Sequence, residues 1–396
     1  MRRSLILTAA VLGLAASSSA RADDLKVALI YGKTGPLEAY AKQTETGLRM
    51  GFEYATKGTM AIDGRKIVLI TKDDQTKPDV AKTLLAEAYE DDKVDIAIGT
   101  TSSAAALAML PVAEERKKIL IVEPAVADQI TGEKWNRYIF RTARNSSQDA
   151  ISNAVAIGKQ GVTVATLAQD YAFGRDGVSA YKAAVEKAGA KVVHEEYTPT
   201  TATDFTAPIQ KIIGALKDRS GPKYVFVIWA GKGGPFPQLV DNRLDKYGIT
   251  LTSGSNVLDV LKAMKSMKLE GMVGGAYYYY EIPKNPVNDW LVREHVKRFN
   301  EPPDFFTCGG FAAAMAAVAG IQKAGGTDSE KLIAAMEGLE FQTPKGKMVF
   351  RKEDHQALQA MYAFKMVGKP DVAWLVPTLT RELSMQETAP AITNQR

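Results

Sequence analysis

A single cysteine, Cys308, stands in a chain of 396 residues. No internal disulfide can form, so stability has to come from a large core. Histidine is nearly as scarce. His194, His295 and His355 lie far apart in sequence, and none belongs to an H-E-x-x-H or similar metal-ligand spacing. Cys308 sits in Thr307-Cys308-Gly309-Gly310, remote from any histidine, and reads as a buried thiol rather than a nucleophile. The G-x-S-x-G elbow of hydrolases is missing. Gly32-Lys33-Thr34 imitates the end of a phosphate loop, but Val27 stands where that motif needs its first glycine. Gly231-Lys232-Gly233-Gly234 lacks the dinucleotide spacing and reads as a turn. The expectation is a protein that is not an enzyme and uses neither metal nor cofactor.

An excess of one charge is also lacking. Fifty basic residues face 45 acidic ones, for a net charge of +5. No basic patch points to nucleic acid, and no polybasic segment points to a membrane surface. The apolar run that stands out is at the N-terminus. Arg2 and Arg3 precede an apolar stretch over 5–16, then three serines and Ala20-Arg21-Ala22. A charged start, a short apolar centre and a small-x-small site are the pattern of a secretory signal peptide. The centre is shorter than the about 20 residues needed to span a bilayer. Residues 1–22 therefore read as a signal peptide cleaved after Ala22. Loss of Arg2, Arg3 and Arg21 takes the net charge to +2. No cysteine ends the leader, so lipid anchoring there is not expected. The remaining chain should be soluble, exported and long enough for two domains.

Short β-branched runs then alternate with helical spacing. Strands are expected over 25–31, 66–71, 94–98 and 119–122, with helices over 38–54, 79–89 and 104–116. The rhythm restarts after an extended segment over 138–142. Strands over 162–168, 191–197, 224–229 and 273–280 alternate with helices over 147–159, 174–188 and 204–216. Later helices are expected over 289–299 and 311–323. Two such blocks predict an α/β protein of two doubly wound, parallel-sheet lobes with a cleft between them.

The informative positions are strand-to-helix junctions, where open α/β sheets bind ligands. Gly99-Thr100-Thr101-Ser102-Ser103 opens the helix over 104–116. Its hydroxyls and free N–H groups suit an anion at a helix N-terminus, or equally ordinary N-capping. Other marks follow in order. They are Thr34-Gly35-Pro36-Leu37 with Tyr40, Asp73-Asp74 with Pro78, Glu123-Pro124-Ala125-Val126-Ala127, Phe140-Arg141-Thr142 with Gln148, Asp170-Tyr171-Ala172-Phe173-Gly174, and Asp204-Phe205. In order and spacing the chain resembles the periplasmic binding proteins of the branched-chain amino-acid type, the type I fold of leucine/isoleucine/valine-binding proteins. The resemblance covers nearly all of the chain after the leader.

That resemblance implies a three-crossing hinge near residues 141–143, 275–278 and 351–359. Lobe 1 would hold 23–142 and 278–352, and lobe 2 would hold 143–277 and 353–396. It implies a periplasmic, monomeric receptor for a small-molecule carboxylate. The receptor would close around its ligand and serve an ABC-importer permease, or alternatively a sensing membrane receptor. Tyr40, Ser102 with Ser103, Ala125, Ala127, Phe173, Ala230, Gly231 and Phe311 match ligand-contacting positions. Tyr278 belongs to the run Tyr277–Tyr280, which on a strand would turn alternate rings to opposite faces. Packing is as good an account of that run as a ligand role. Ser255 and Asn256 occupy the segment that in leucine-type binders supplies an acid to the ligand ammonium. With no acid there, the expected ligand is an aromatic or branched oxo or hydroxy acid; alternatively it is a branched-chain or aromatic amino acid, with Glu123, Asp170 or Glu281 as the substitute acid. Ser103→Ala is expected to weaken binding with little loss of stability.

Overall fold

The computed structural model describes residues 23–254 and 257–395. The leader, Ser255 and Asn256 lie outside the described residues. The first sheet has six strands, in the order Ala61–Ile62, Arg65–Asp73, Leu25–Tyr31, Ile96–Gly99, Leu120–Val122 and Ile139–Arg141. All neighbours pair in parallel except the first two. Leu25–Tyr31 is central, and Val27, Ala28, Leu29 and Ile30 are fully buried, as an apolar run sandwiched between helices should be. The second sheet is parallel, in the order Ile249–Ser253, Lys223–Ile228, Thr163–Gln169 and Lys191–Thr198. Both parallel sheets and their helices follow the expected doubly wound pattern. Two antiparallel additions complete the fold. Val273–Ala276, Met361–Gly368 and Leu375–Leu383 form one, and Glu340–Thr343, Gly346–Phe350 and Ala357–Leu358 the other.

Two elements depart from expectation. The strand over 273–280 stops at Ala276, so Tyr277–Tyr280 form part of a crossing and do not alternate. Ala357–Leu358, within the segment expected as the third crossing, pairs with Gly346–Phe350. In the C-terminal tail, Pro390 O accepts from Arg351 Nη1 at 2.7 Å. Finally, the helix expected over 311–323 runs over Phe305–Ala324 and is capped by Asp304. By length and composition it could cross a membrane, yet 83% of its most apolar window is buried inside the protein.

Gly309 and Gly310 look like helix breakers in the sequence, but tertiary packing needs their small size. A Cβ at Gly310 would lie 2.1 Å from Thr44 O, and one at Gly47 would lie 1.9 Å from Thr307 O. The Glu38–Ala55 and Phe305–Ala324 helices thus touch backbone to backbone. This contact sets Tyr40 against Phe306, with ring centroids 4.4 Å apart.

The crossings meet in a buried knot. Fully buried Arg141 donates from Nε to Gln356 Oε1 at 2.6 Å and from Nη1 to Ala127 O at 2.6 Å, and from Nη2 to Thr131 Oγ1. Gln356 Nε2 donates to Ala143 O at 2.8 Å, and Gln359 Nε2 to Thr142 O at 3.2 Å. Lys345 Nζ donates to Gln359 Oε1 at 2.8 Å and stands 3.8 Å from the Tyr277 ring centre. Residues of all three crossings are thereby joined.

Two outcomes are expected. Alanine in a helix is normally favoured over glycine by about 1 kcal/mol. Gly310→Ala should instead destabilise by about 1–3 kcal/mol through overpacking, read by urea denaturation. Burial holds the Lys345 amine down at about 7 against an ordinary 10.5. Between those values the unfolded chain carries a proton that the folded chain lacks, so stability rises with pH across this window. Lys345→Met should reduce that rise in Tm, measured at about pH 7.5 and about pH 9.5.

Candidate functional site

A cavity of about 430 Å³ opens between the lobes and is lined from both. Lobe 1 contributes Tyr40, Thr101, Ser103, Ala125 and Phe306, and lobe 2 contributes Arg144, Tyr171, Phe173, Ala230 and Gly231. The Ile96–Gly99 strand delivers Thr101 and Ser103 to its C-terminal end. Ser102 occupies the N-cap position of the Ser103–Arg116 helix, but no side-chain capping bond forms there. Ser103 Oγ accepts from the N–H groups of Val126 and Ala127, at 3.3 and 3.2 Å. Thr101 Oγ1 accepts from Gly32 N–H at 3.2 Å. Each hydroxyl retains its own proton to donate toward an anion.

Two cations line the cavity, the exposed Lys232 and the buried Arg144, and sequence reasoning missed the second. Its side chain keeps only 9% of its exposure, and Nε lies 3.1 Å from Asp149 Oδ2. Its guanidinium carbon sits 4.5 Å from the Phe305 ring centre. Phe306 and Tyr171 were missed as well. The first was hidden by the late helix start, while the second is visible within Asp170-Tyr171-Ala172-Phe173.

Four expected contacts lie off the cavity wall. Phe311 is two turns inside its helix, fully buried between Tyr54 and Trp290. Phe306, at the helix start, takes the place at the cleft. The Tyr278 hydroxyl donates to Asn288 Oδ1 at 2.8 Å within a buried cluster. Ala127 is buried, with its N–H bound to Ser103 and its O to Arg141. Ser102 is buried beside the lining residues without joining them. Ala230 and Gly231 do line the cavity, but their N–H groups are engaged. Ala230 donates to Gln169 Oε1 at 2.9 Å, and Gly231 to the Tyr40 hydroxyl at 2.9 Å. The second bond crosses the cleft. So does a bond from Leu258 N–H to Asp304 Oδ2, at 2.9 Å. Burial pushes the Asp304 carboxyl up to about 6.

The three acids considered as ammonium partners are otherwise occupied. Glu123 is buried, accepts from Thr142 Oγ1 at 2.9 Å and is pushed by burial up to about 7. Asp170 pairs with Arg175 at 2.7 Å. Glu281 accepts from the Tyr280 hydroxyl at 3.1 Å. None lines the cavity among the described residues. The carboxylates that do are Asp149, already with Arg144, and Asp259, whose side chain is 83% exposed and near Lys262. Hydroxyls and a guanidinium beside aromatic walls suit an anion with an apolar body.

Residues 24–370 match the family model described as periplasmic binding protein. The chain belongs to that family. The periplasmic binding protein is similar to a crystal structure from Rhodopseudomonas palustris CGA009 described as an ABC-type branched-chain amino acid transporter. The two share 71% identity, with a TM-score of 0.84 over 94% of this chain and 100% of the other. A solute-binding protein of an ABC transporter from R. palustris BisB5, solved with 3,4-dihydroxybenzoic acid, is 29% identical. Its TM-score is 0.79 over 92% of this chain and 98% of its own. A leucine-, isoleucine-, valine-, threonine- and alanine-binding protein of Pseudomonas aeruginosa is 25% identical over 88% of this chain and 91% of its own. This periplasmic binding protein is thus of the ABC-transporter type, in a family of solute binders.

The Ser103 geometry revises the expected effect of its loss. Ser103→Ala removes the acceptor of two buried N–H groups, so it should lower stability by about 1–3 kcal/mol as well as weaken binding. Thermal melts of the ligand-free protein check this.

Proposed function

We propose that this protein captures a small carboxylate that needs no ammonium group, an aromatic or branched organic acid, and delivers it to an ABC-importer permease. The observation that carries this reading is the charge pattern of the cavity. Arg144 lines it together with the Thr101 and Ser103 hydroxyls, and among the described residues both lining carboxylates already have cations, Asp149 beside Arg144 and Asp259 beside Lys262. An amino-acid ligand would bury an unpaired cation there, which is costly. Tyr40, Phe173 and Phe306 provide the rings against which a planar acid would stack. Ala125, Ala230 and Gly231 shape the remaining wall. The dihydroxybenzoate bound to the R. palustris BisB5 relative supports the same ligand class. In this reading the protein binds without catalysis, works in the periplasm as a monomer after loss of residues 1–22, and closes about its hinge.

The name of the P. aeruginosa relative and the description of the R. palustris CGA009 structure favour amino acids instead. Calorimetric titration of matched pairs separates the two: leucine against its 2-oxo acid, and phenylalanine against phenylpyruvate and benzoate. The acids are expected to bind more than about tenfold tighter, which is about 1.4 kcal/mol. Amino acids binding tighter by that factor would overturn the reading.

A further inference from the structure

The cavity does not end at the ring-lined part of the cleft. It continues into lobe 2, where two segments supply its lining. Trp229, Phe236 and Pro237 follow the Lys223–Ile228 strand, and Val260, Ala263 and Met267 belong to the Leu258–Ser266 helix and its C-cap. The last three stand at i, i+3 and i+7 and so share one helix face. At about 1.5 Å rise per residue, that face runs about 10 Å from Val260 to Met267. It starts at the cleft, because Leu258 N–H at the helix start is bound to Asp304 of the opposite lobe. None of these six side chains is charged. Trp229, Phe236, Val260 and Met267 are half-buried, while Pro237 and Ala263 are exposed. The protein therefore leaves a strip of apolar surface uncovered that is continuous with the ligand cavity. A one-ring acid held by its carboxylate at Arg144 and Ser103 would leave this arm empty. Sites of this kind enclose most of their ligand's surface.

We propose that the ligand is an elongated carboxylate, whose apolar chain or second ring lies along the face of Val260, Ala263 and Met267. The inference rests on the carboxylate reading above. Ala263 is the critical point, because a larger side chain in the middle of the strip would block it, and its exposure allows the helix to accept one.

The test uses benzoate, 3-phenylpropanoate and 5-phenylpentanoate, titrated by calorimetry into the wild type and Ala263→Phe. Affinity of the wild type is expected to rise at least about tenfold from the shortest acid to the longest. In Ala263→Phe, shown to be folded by its melting curve, that ratio should fall toward one. If the acids bind the wild type with one affinity, or if the variant keeps the ratio, the arm is refuted and the carboxylate reading stands. If none of the three acids binds, the arm is refuted, and the carboxylate reading is decided separately by the titration of the 2-oxo acid of leucine.

Discussion

Arg141 is the residue around which the two lobes are organised. A guanidinium out of contact with water is tolerable only when its donors are satisfied. Here the acceptors come from two segments far apart in the chain: a carbonyl and a hydroxyl from the 127–131 segment, and the Gln356 amide from the third crossing. Burial lowers its pKa to about 10, opposed by Asp128 and Asp176, so it stays charged at neutral pH. The same Gln356 reaches back to Ala143 O. The first and third crossings are therefore fixed relative to each other by groups whose separation would expose a buried charge. Lys345 adds the second crossing through Tyr277. What lies on either side of this knot is aligned by it, including Ala127 O and the Ser103 contact beyond it.

The cleft wall of lobe 1 depends on a different constraint. The backbone contact at Gly47 and Gly310 decides how closely two helices approach, and their N-terminal ends carry Tyr40 and Phe306 to the cavity. A core packing choice thus fixes the position of the stacked rings. It also explains why a glycine pair inside an apolar helix does not end it: the helix gains more from close approach than it loses in backbone freedom.

Much of this was legible in the sequence, for identifiable reasons. The parallel strands are short, apolar and β-branched, and the helices between them carry a clear 3.6-residue period. Tyr40, Ser103, Ala125, Phe173, Ala230 and Gly231 lie at the cavity because strand ends lead there by topology. The residues that lie elsewhere than expected have one cause in common, long-range contacts. Phe311 was placed at the cleft by its match to a pocket aromatic, whereas the helix begins earlier and brings Phe306 to that wall. The tyrosine run looked like a strand because tyrosine favours strands. Yet Tyr278 is held by Asn288, Tyr279 by Trp374 and Tyr277 under Lys345. Ala127 resembled a free backbone contact, but both its groups are taken. Arg144 stood next to a matched motif and outside it, and only the meeting of the lobes reveals that it borders the cavity.

The bonds from Gly231 to Tyr40 and from Leu258 to Asp304 span the cleft with protein atoms alone. Any rotation that separates the lobes has to break both. A neutral bond contributes about 1 kcal/mol net and one to a charged group about 1.5–3. The shut form therefore carries an inherent bias, and an arriving solute adds to it without having to supply the whole of the shift. Such a bias makes capture easier at the expense of contrast. Contacts that hold the lobes together without help from a ligand narrow the free-energy difference a ligand can add, so the same two bonds limit how sharply closure can report occupancy.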